Sequence, residues 1–197
     1  MQSLLGPATF EPIALWPPTG LFDPFSPGQN FQPWQLLTYG FLHGSLGHLL
    51  FNMLALVMFG AQLEHTWGDR RFLTYYLVCV VGAGLCQLLV ASIAVSEGQA
   101  PYATVGASGG VFGLLLAYGM LFPNQRMIVF PLPMEIRART LVIFYAVLAL
   151  VLGFTGLQPG VAHFAHLGGM VFGWLMIRYW RGQPPFGRGR RGPPRMR

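Results

Sequence analysis

Long apolar runs separated by short polar connections dominate the chain. Five runs approach the roughly 20 residues that a helix needs to cross about 30 Å of hydrocarbon. The runs are Leu46–Leu63, Phe72–Val95, Ala103–Phe122, Leu141–Leu157 and Val161–Tyr179. They are continuous and lack the alternation of a membrane β-barrel, so helices are expected. The pattern predicts an all-α polytopic membrane protein with five transmembrane helices.

The two ends of the chain lack this pattern. Met1–Gln35 is rich in Pro, Gly, Phe and Trp and too broken by prolines to span, so we predict an interfacial loop anchored by Trp16 and Trp34. The tail is Arg, Gly and Pro and cannot bury a core. We therefore predict an outer loop over residues 1–45, a transmembrane domain over 46–180, and a disordered basic tail over 181–197.

Composition and charge agree with a membrane location. Hydrophobic residues make up 53% of the chain and charged residues 9%, which excludes an ordinary soluble domain. All basic residues are arginines; they lie at Arg70, Arg71, Arg126, Arg137, Arg139 and from Arg178 onward. If the first run crosses from outside to inside, every arginine faces the cytoplasm. We expect an integral protein of a bacterial plasma membrane, with a cytoplasmic C-terminus. The lipid bilayer explains the basic tail, so no nucleic-acid partner is expected.

Polar residues gather at the outer level of the predicted spans. Ser108 lies in the glycine-rich stretch Gly106–Gly110, about one turn into its predicted helix, and His166 lies about one turn into the last one. His48 and Asn52 lie at the outer end of the first run. Polar and ionisable groups are costly within a membrane, so this shared depth indicates a functional site.

Ser108 and His166 together suggest nucleophilic catalysis. A serine hydroxyl needs a neighbouring base to take its proton, and a neutral imidazole suits that role at physiological pH. No acidic residue lies in a span near the outer level. We therefore predict a Ser–His dyad, a variant of the serine protease triad that needs no cofactor and no metal.

Neighbouring residues could support this chemistry. His48 and Asn52, four residues apart on one helix face, could donate to an oxyanion together with the Ser108 amide. Asn52 could instead bond to neighbouring helices. Phe112, one turn after Ser108, could pack against the imidazole. The stripe Gly106, Gly110, Gly113 and the pair Gly169, Gly173 would let the two helices approach closely.

Three segments in this order are similar to the signature of the rhomboid family of intramembrane serine proteases. They are His43-Gly-Ser-Leu-Gly-His48-Leu-Leu-Phe-Asn52, Gly106-Ala-Ser108-Gly109, and Ala165-His166-Leu-Gly168-Gly169 followed by Gly173. The resemblance covers roughly residues 31–179 on the span count.

The resemblance implies a rhomboid-like helix bundle in which Ser108 is the nucleophile and His166 the base. It further implies that His48, Asn52 and the Ser108 amide form the oxyanion site, with His43 lining a water-accessible cavity nearby. Substrates would be transmembrane segments of other proteins, cut near their outer ends without a cofactor. The chain departs from the family in two respects: the usual Trp-Arg of the outer loop is Trp34-Gln35 here, and the first of six core helices is expected to be missing.

Other interpretations remain open. Haem held between His48 and His166 would give an electron-transfer protein, and a rhomboid-like pseudoenzyme would bind membrane clients without cutting them. Cys79 and Cys86 are interpreted as packed thiols, and His163 is expected to be solvated. The oligomeric state is not predicted.

Overall fold

Helices make up most of the described chain, which in this computed structural model covers residues 10–19, 29–128, 135–156 and 162–186. Between α4 and α5 two short strands, β1 and β2, pair antiparallel. The elements in order are α1 (Gln35–Thr38), a 3₁₀ turn (Tyr39–Phe41), α2 (Leu46–Trp67), α3 (Asp69–Ser96), α4 (Ser108–Leu121), β1 (Arg126–Ile128), β2 (Glu135–Arg137), α5 (Ala138–Thr155) and α6 (His163–Trp180).

The helical bundle predicted from the apolar runs is confirmed, with one boundary wrong. The third run was expected to be helical from Ala103, but residues 103–107 are not helical and α4 begins at Ser108. Thr104 forms an isolated bridge with Leu15 of the N-terminal loop, and Gly106 has φ +131°, which a helix does not allow. Ser108 is therefore the first residue of its helix, not a residue one turn inside it.

Three described helices, α2, α3 and α5, are long and apolar enough to cross a membrane. The predicted span at α4 has only 14 helical residues, about 21 Å of rise. It contacts α2, α3, α5 and α6 and is buried along most of its length. A helix enclosed by protein does not need to cover the full hydrocarbon thickness, which explains its shortness.

The connections between helices show which helix ends lie at the same end of the bundle. Gly68 joins α2 to α3 within one residue at φ +78°, a left-handed conformation that favours glycine. Because α2 and α4 both begin near Ser108, their C-terminal ends lie at the opposite end of the bundle. The described arginines lie at that far end, at the start of α3, between α4 and α5, and at the end of α6.

Glycines do bring α4 and α6 together, but not all of those predicted. A methyl group at Gly169 would overlap the backbone carbonyl of Gly109, and one at Gly113 would lie 3.1 Å from the Gly169 carbonyl. Gly110 instead faces Tyr76 and Val80 of α3. Backbone contact between α4 and α6 thus depends on Gly109, which the predicted stripe omitted, together with Gly113 and Gly169.

The contacts of Gly173 on α6 also differ from the prediction. It faces Tyr75 and Cys79 of α3 rather than α4, and Gly168 faces Cys86 of the same helix. Cys79 and Cys86 are free thiols, packed against these glycines as small side chains. The sequence interpretation of the two cysteines as packing groups is confirmed.

The N-terminal segment is held by Gln35, which is completely buried. Its Oε1 accepts hydrogen bonds from the backbone N–H groups of Trp16 (3.2 Å) and Gln32 (3.1 Å). Its Nε2 donates to the carbonyls of Pro12 and Asn30, both at 3.3 Å. Gln35 stands where the resemblance leads us to expect an arginine, and its amide holds the loop through both Oε1 and Nε2.

We therefore expect Gln35→Ala to destabilise the protein by about 2–3 kcal/mol, because it leaves buried backbone groups without partners. Thermal unfolding in detergent should show a lower Tm. Gln62→Ala, an exposed glutamine of α2, is the matched control and should leave Tm unchanged. An equal Tm for Gln35→Ala and the parent would contradict the anchoring role.

Residues 1–9 and 20–28 of the predicted outer loop and the predicted tail beyond residue 186 lie outside the described residues. Within the predicted tail, residues 181–186 form turns that fold back on α6. Arg178 Nε bonds the Pro184 carbonyl, and Phe186 contacts the Tyr179 ring edge-on.

Candidate active site

Ser108 and His166 form a direct hydrogen bond across the α4–α6 contact. His166 Nε2 lies 2.8 Å from Ser108 Oγ. Ser108 is half-buried at the start of α4, and His166 lies one turn into α6 and is 9% exposed. The close backbone approach at Gly109 and Gly169 makes this distance possible, since bulkier residues would push the helices apart.

The imidazole of His166 is fixed by an aromatic ring. Phe112 stacks on it with ring centroids 4.1 Å apart and planes only 6° apart. The ring contact predicted from the sequence is present. Phe112 is in turn held edge-on by Tyr145 of α5. Because stacking fixes the ring plane, Nε2 is directed at the serine without a carboxylate on the other ring nitrogen.

His163 occupies a different place from the one expected. It was expected to be solvated, but it is buried as the first residue of α6, with its ring edge-on to His166 at 5.9 Å. Its burial was not predicted, because a position in the short loop before the last predicted helix suggested exposure. His163 thus lines the same region without touching the serine.

His48 directs one ring nitrogen into the site. The backbone N–H of Gly44 donates to its Nδ1 at 3.4 Å, which assigns the ring proton to Nε2. A Cβ on Gly106 would lie 3.1 Å from that Nε2 and 3.7 Å from Ser108 Oγ. Gly106 therefore leaves space between the imidazole and the serine, and a donor N–H faces this space.

Asn52 follows His48 one turn later on α2 and is buried. Its Nδ2 donates to the His48 carbonyl at 2.8 Å, within its own helix. This bond uses one of the two amide protons and fixes the side chain, leaving the second proton free to donate. The predicted bond from Asn52 to another helix is not the one found.

His43 supports His48 rather than lining the cavity as the resemblance implied. Its ring meets that of His48 edge-on at 5.2 Å, and its Nε2 is buried without a hydrogen-bond partner among the described residues. Burial, and then the neighbouring His48, lower the pKa of His43, so its ring is neutral at pH 7. A neutral ring avoids repulsion with its neighbour.

A large open cavity of about 1590 Å³ lies at the candidate site. It is lined by Ser108, Phe112 and His166 together with His48 and Asn52, and it extends between α2 and α5. One polar residue that lines the cavity, Gln87, was not predicted from the sequence. Gln87 of α3 is buried and donates to the hydroxyl of Tyr102 at 3.1 Å. A single glutamine inside an apolar run was the available signal.

Known proteins resemble this chain over most of its length. A family model described as "Rhomboid domain" matches residues 30–182. RHOMBOID-like protein 4 of Arabidopsis thaliana is 36% identical over 146 residues, 73% of this chain and 33% of the relative. Rhomboid-like protease 3 of Toxoplasma gondii is 30% identical over 153 residues, 77% of this chain and 53% of the relative.

A bacterial relative is also similar. Rhomboid protease GluP of Bacillus subtilis is 32% identical over 144 residues, 72% of this chain and 25% of that protein. The chain spans between about a quarter and a half of the length of these three curated relatives. The common region includes the segments that carry Ser108 and His166, since the family match runs through both.

Proposed function

The chain belongs to the rhomboid family, a family of integral membrane proteins, and on that premise we propose that it is an intramembrane serine endopeptidase. The observation that carries the proposal is the 2.8 Å contact between Ser108 Oγ and His166 Nε2. Two relatives, from Toxoplasma gondii and Bacillus subtilis, are named as proteases. The substrate class is a transmembrane segment of another protein, cut near the end that reaches the Ser108 level.

The proposed reaction uses only side chains of this chain. His166 Nε2 takes the hydroxyl proton as Ser108 Oγ attacks the peptide carbonyl carbon, which forms a tetrahedral oxyanion. The imidazolium then gives the proton to the leaving amine, and an acyl-enzyme remains. Water enters through the open cavity and loses a proton to His166 as it attacks the ester carbonyl carbon. The imidazolium then returns this proton to Ser108 Oγ as the ester C–O bond breaks, which frees the acid and restores the serine.

The oxyanion is proposed to accept from three donors around Gly106. They are Nε2–H of His48, the second amide proton of Asn52, and the backbone N–H of Ser108. Since Ser108 is the first residue of α4, its N–H is not used by the helix, and the positive end of the helix dipole favours a negative charge there. The non-helical turn at Gly106 is what exposes this amide.

Asn52 offers a quantitative check on the oxyanion proposal. Removing one such donor typically lowers kcat by roughly 10²–10³, so we expect Asn52→Ala to reduce kcat with little change in KM. Leu50→Ala, a lipid-facing neighbour on α2 that is 60% exposed, should leave both constants near those of the parent. A raised KM with an unchanged kcat would mean that Asn52 contacts the substrate instead.

The haem alternative is less well supported by the site. A ligating histidine must present a free ring nitrogen to iron, whereas His166 Nε2 faces the serine and its ring is stacked on Phe112. A Soret band in the purified protein would favour haem. The pseudoenzyme alternative leaves the Ser108–His166 contact without a use, and the absence of cleavage would favour it.

The proposal includes the orientation of the chain in the membrane. The C-terminus is proposed to be cytoplasmic, because the described arginines lie at the end of the bundle remote from Ser108. The cut would then fall on the outer side. A relative from the bacterium Bacillus subtilis supports the proposed plasma membrane. One relative from Arabidopsis thaliana is named as mitochondrial.

The direct test is cleavage in proteoliposomes. The full chain is incubated with a panel of single-span fusion proteins, and the products are sized and sequenced by mass spectrometry. We expect cuts within or next to the apolar segment near its outer end. Versions without the apolar segment should stay intact. Cleavage of soluble versions at equal rates, or no cleavage across the panel, would contradict the proposal.

A further inference from the structure

The hairpin between α4 and α5 presents arginines on one face. Strands β1 and β2 pair Arg126 with Arg137, and Arg139 follows in the first turn of α5. All three side chains are exposed. Met127 and Ile136, the intervening residues, pack against the helical core. The alternation of the strands therefore turns Arg126 and Arg137 outward, away from the bundle, and Arg139 is exposed next to them in the chain.

This arrangement is unfavourable for the isolated chain. Like charges directly opposite each other destabilise an antiparallel pair, and Arg139 lies at the positive end of the α5 dipole. Glu135 pairs with Arg126 at 3.0 Å, but in the part of the chain that the structure describes, Arg137 and Arg139 have no ion pair with a carboxylate. A negative partner from outside would remove this cost.

The position of the hairpin indicates which partner. It connects the end of α4 to α5, a helix long and apolar enough to cross a membrane, so it lies where that span leaves the hydrocarbon. Ile128 on the same hairpin is 66% exposed. A phospholipid surface offers phosphates and apolar chains at this boundary, whereas a free phosphate offers nothing to Ile128.

We propose that Arg126, Arg137 and Arg139 bind the headgroups of anionic phospholipids. Guanidinium groups bind phosphate with two parallel hydrogen bonds. The ion pair with Glu135 holds Arg126 in place beside Arg137. Ile128 rests against the acyl chains next to the headgroup. This surface lies at the end of the bundle remote from Ser108, and the proposal does not depend on proteolysis.

The test measures lipid binding to the full chain in neutral detergent by native mass spectrometry. Phosphatidylglycerol should bind more tightly than phosphatidylcholine. Each arginine near an anionic surface contributes about fivefold in affinity, so R137Q/R139Q should weaken phosphatidylglycerol binding by roughly thirtyfold. The matched control R70Q/R181Q removes the same charge from the same end, outside the hairpin, and should change affinity by less than about threefold.

Three results would overturn the proposal. They are equal losses in the two double variants, equal affinity of the parent for both lipids, and displacement of phosphatidylglycerol by millimolar inorganic phosphate alone. Both arginines are exposed and their removal relieves the like-charge contact, so Tm should not fall below the parent value. If R137Q/R139Q proves unstable, R137K/R139K decides: binding about fivefold weaker supports the forked contacts, and unchanged binding overturns them.

Discussion

Replacing Ser108 with alanine should abolish cleavage of a transmembrane substrate. The substitution removes the oxygen that contacts His166 at 2.8 Å and is proposed as the nucleophile. A water molecule in its place would be a much poorer nucleophile. The expected loss in kcat is on the order of 10⁴-fold or more. Cleavage is measured in proteoliposomes by product formation over time. Tm should stay near the parent value, because the side chain is small and half-buried.

Ser92→Ala is the matched control. Ser92 is also a serine in a predicted span, but its hydroxyl donates to the Leu88 carbonyl of its own helix at 2.6 Å, an ordinary structural role. Its replacement should leave cleavage unchanged. If Ser108→Ala cut substrate as fast as Ser92→Ala, Ser108 would not be the nucleophile.

The second large effect is expected at His166. His166→Ala removes the proposed base, and the free hydroxyl of Ser108 is then a weak nucleophile. We expect loss of both cleavage and labelling by a serine-directed fluorophosphonate, with a fall in turnover on the order of 10⁴-fold. Some loss of Tm is expected as well, because Phe112 loses its stacking partner.

His163→Ala provides the comparison on the same helix. Both histidines are buried in α6 and their rings contact edge-on, so the two variants disturb packing to a similar degree. His163 does not reach the serine, and its variant should keep labelling within about tenfold of the parent, since the Ser108–His166 contact survives. Loss of labelling in His163→Ala with retention in His166→Ala would reverse the assignment.

Much of the helical architecture could be predicted because a membrane helix needs a long apolar run. Helices α2, α3, α5 and α6 follow their runs closely. The start of α4 could not be predicted in this way, since the residues before Ser108 are as apolar as those after it. The positive φ of Gly106 and the bridge between Thr104 and Leu15 prevent α4 from beginning earlier. Both features depend on tertiary contacts.

The candidate site was predictable where it depends on residue type and spacing. Phe112 lies one turn after Ser108 on α4, and glycines let α4 approach α6, which carries His166. Contacts of Gln35 and His163 were not predictable, because hydrogen bonds to distant backbone groups leave no periodic pattern. Gly109 was missed because several glycines lie along α4, and which of them meets α6 depends on how the helices pack.

The claim that Ser108 is an activated nucleophile is tested most directly by active-site labelling. The full chain, purified in detergent, is treated with a fluorophosphonate, digested, and the modified residue is located by tandem mass spectrometry. We expect a single covalent adduct on Ser108 that is absent when the chain is denatured first or carries His166→Ala. Labelling elsewhere, or no labelling of Ser108 in the folded protein, would contradict it.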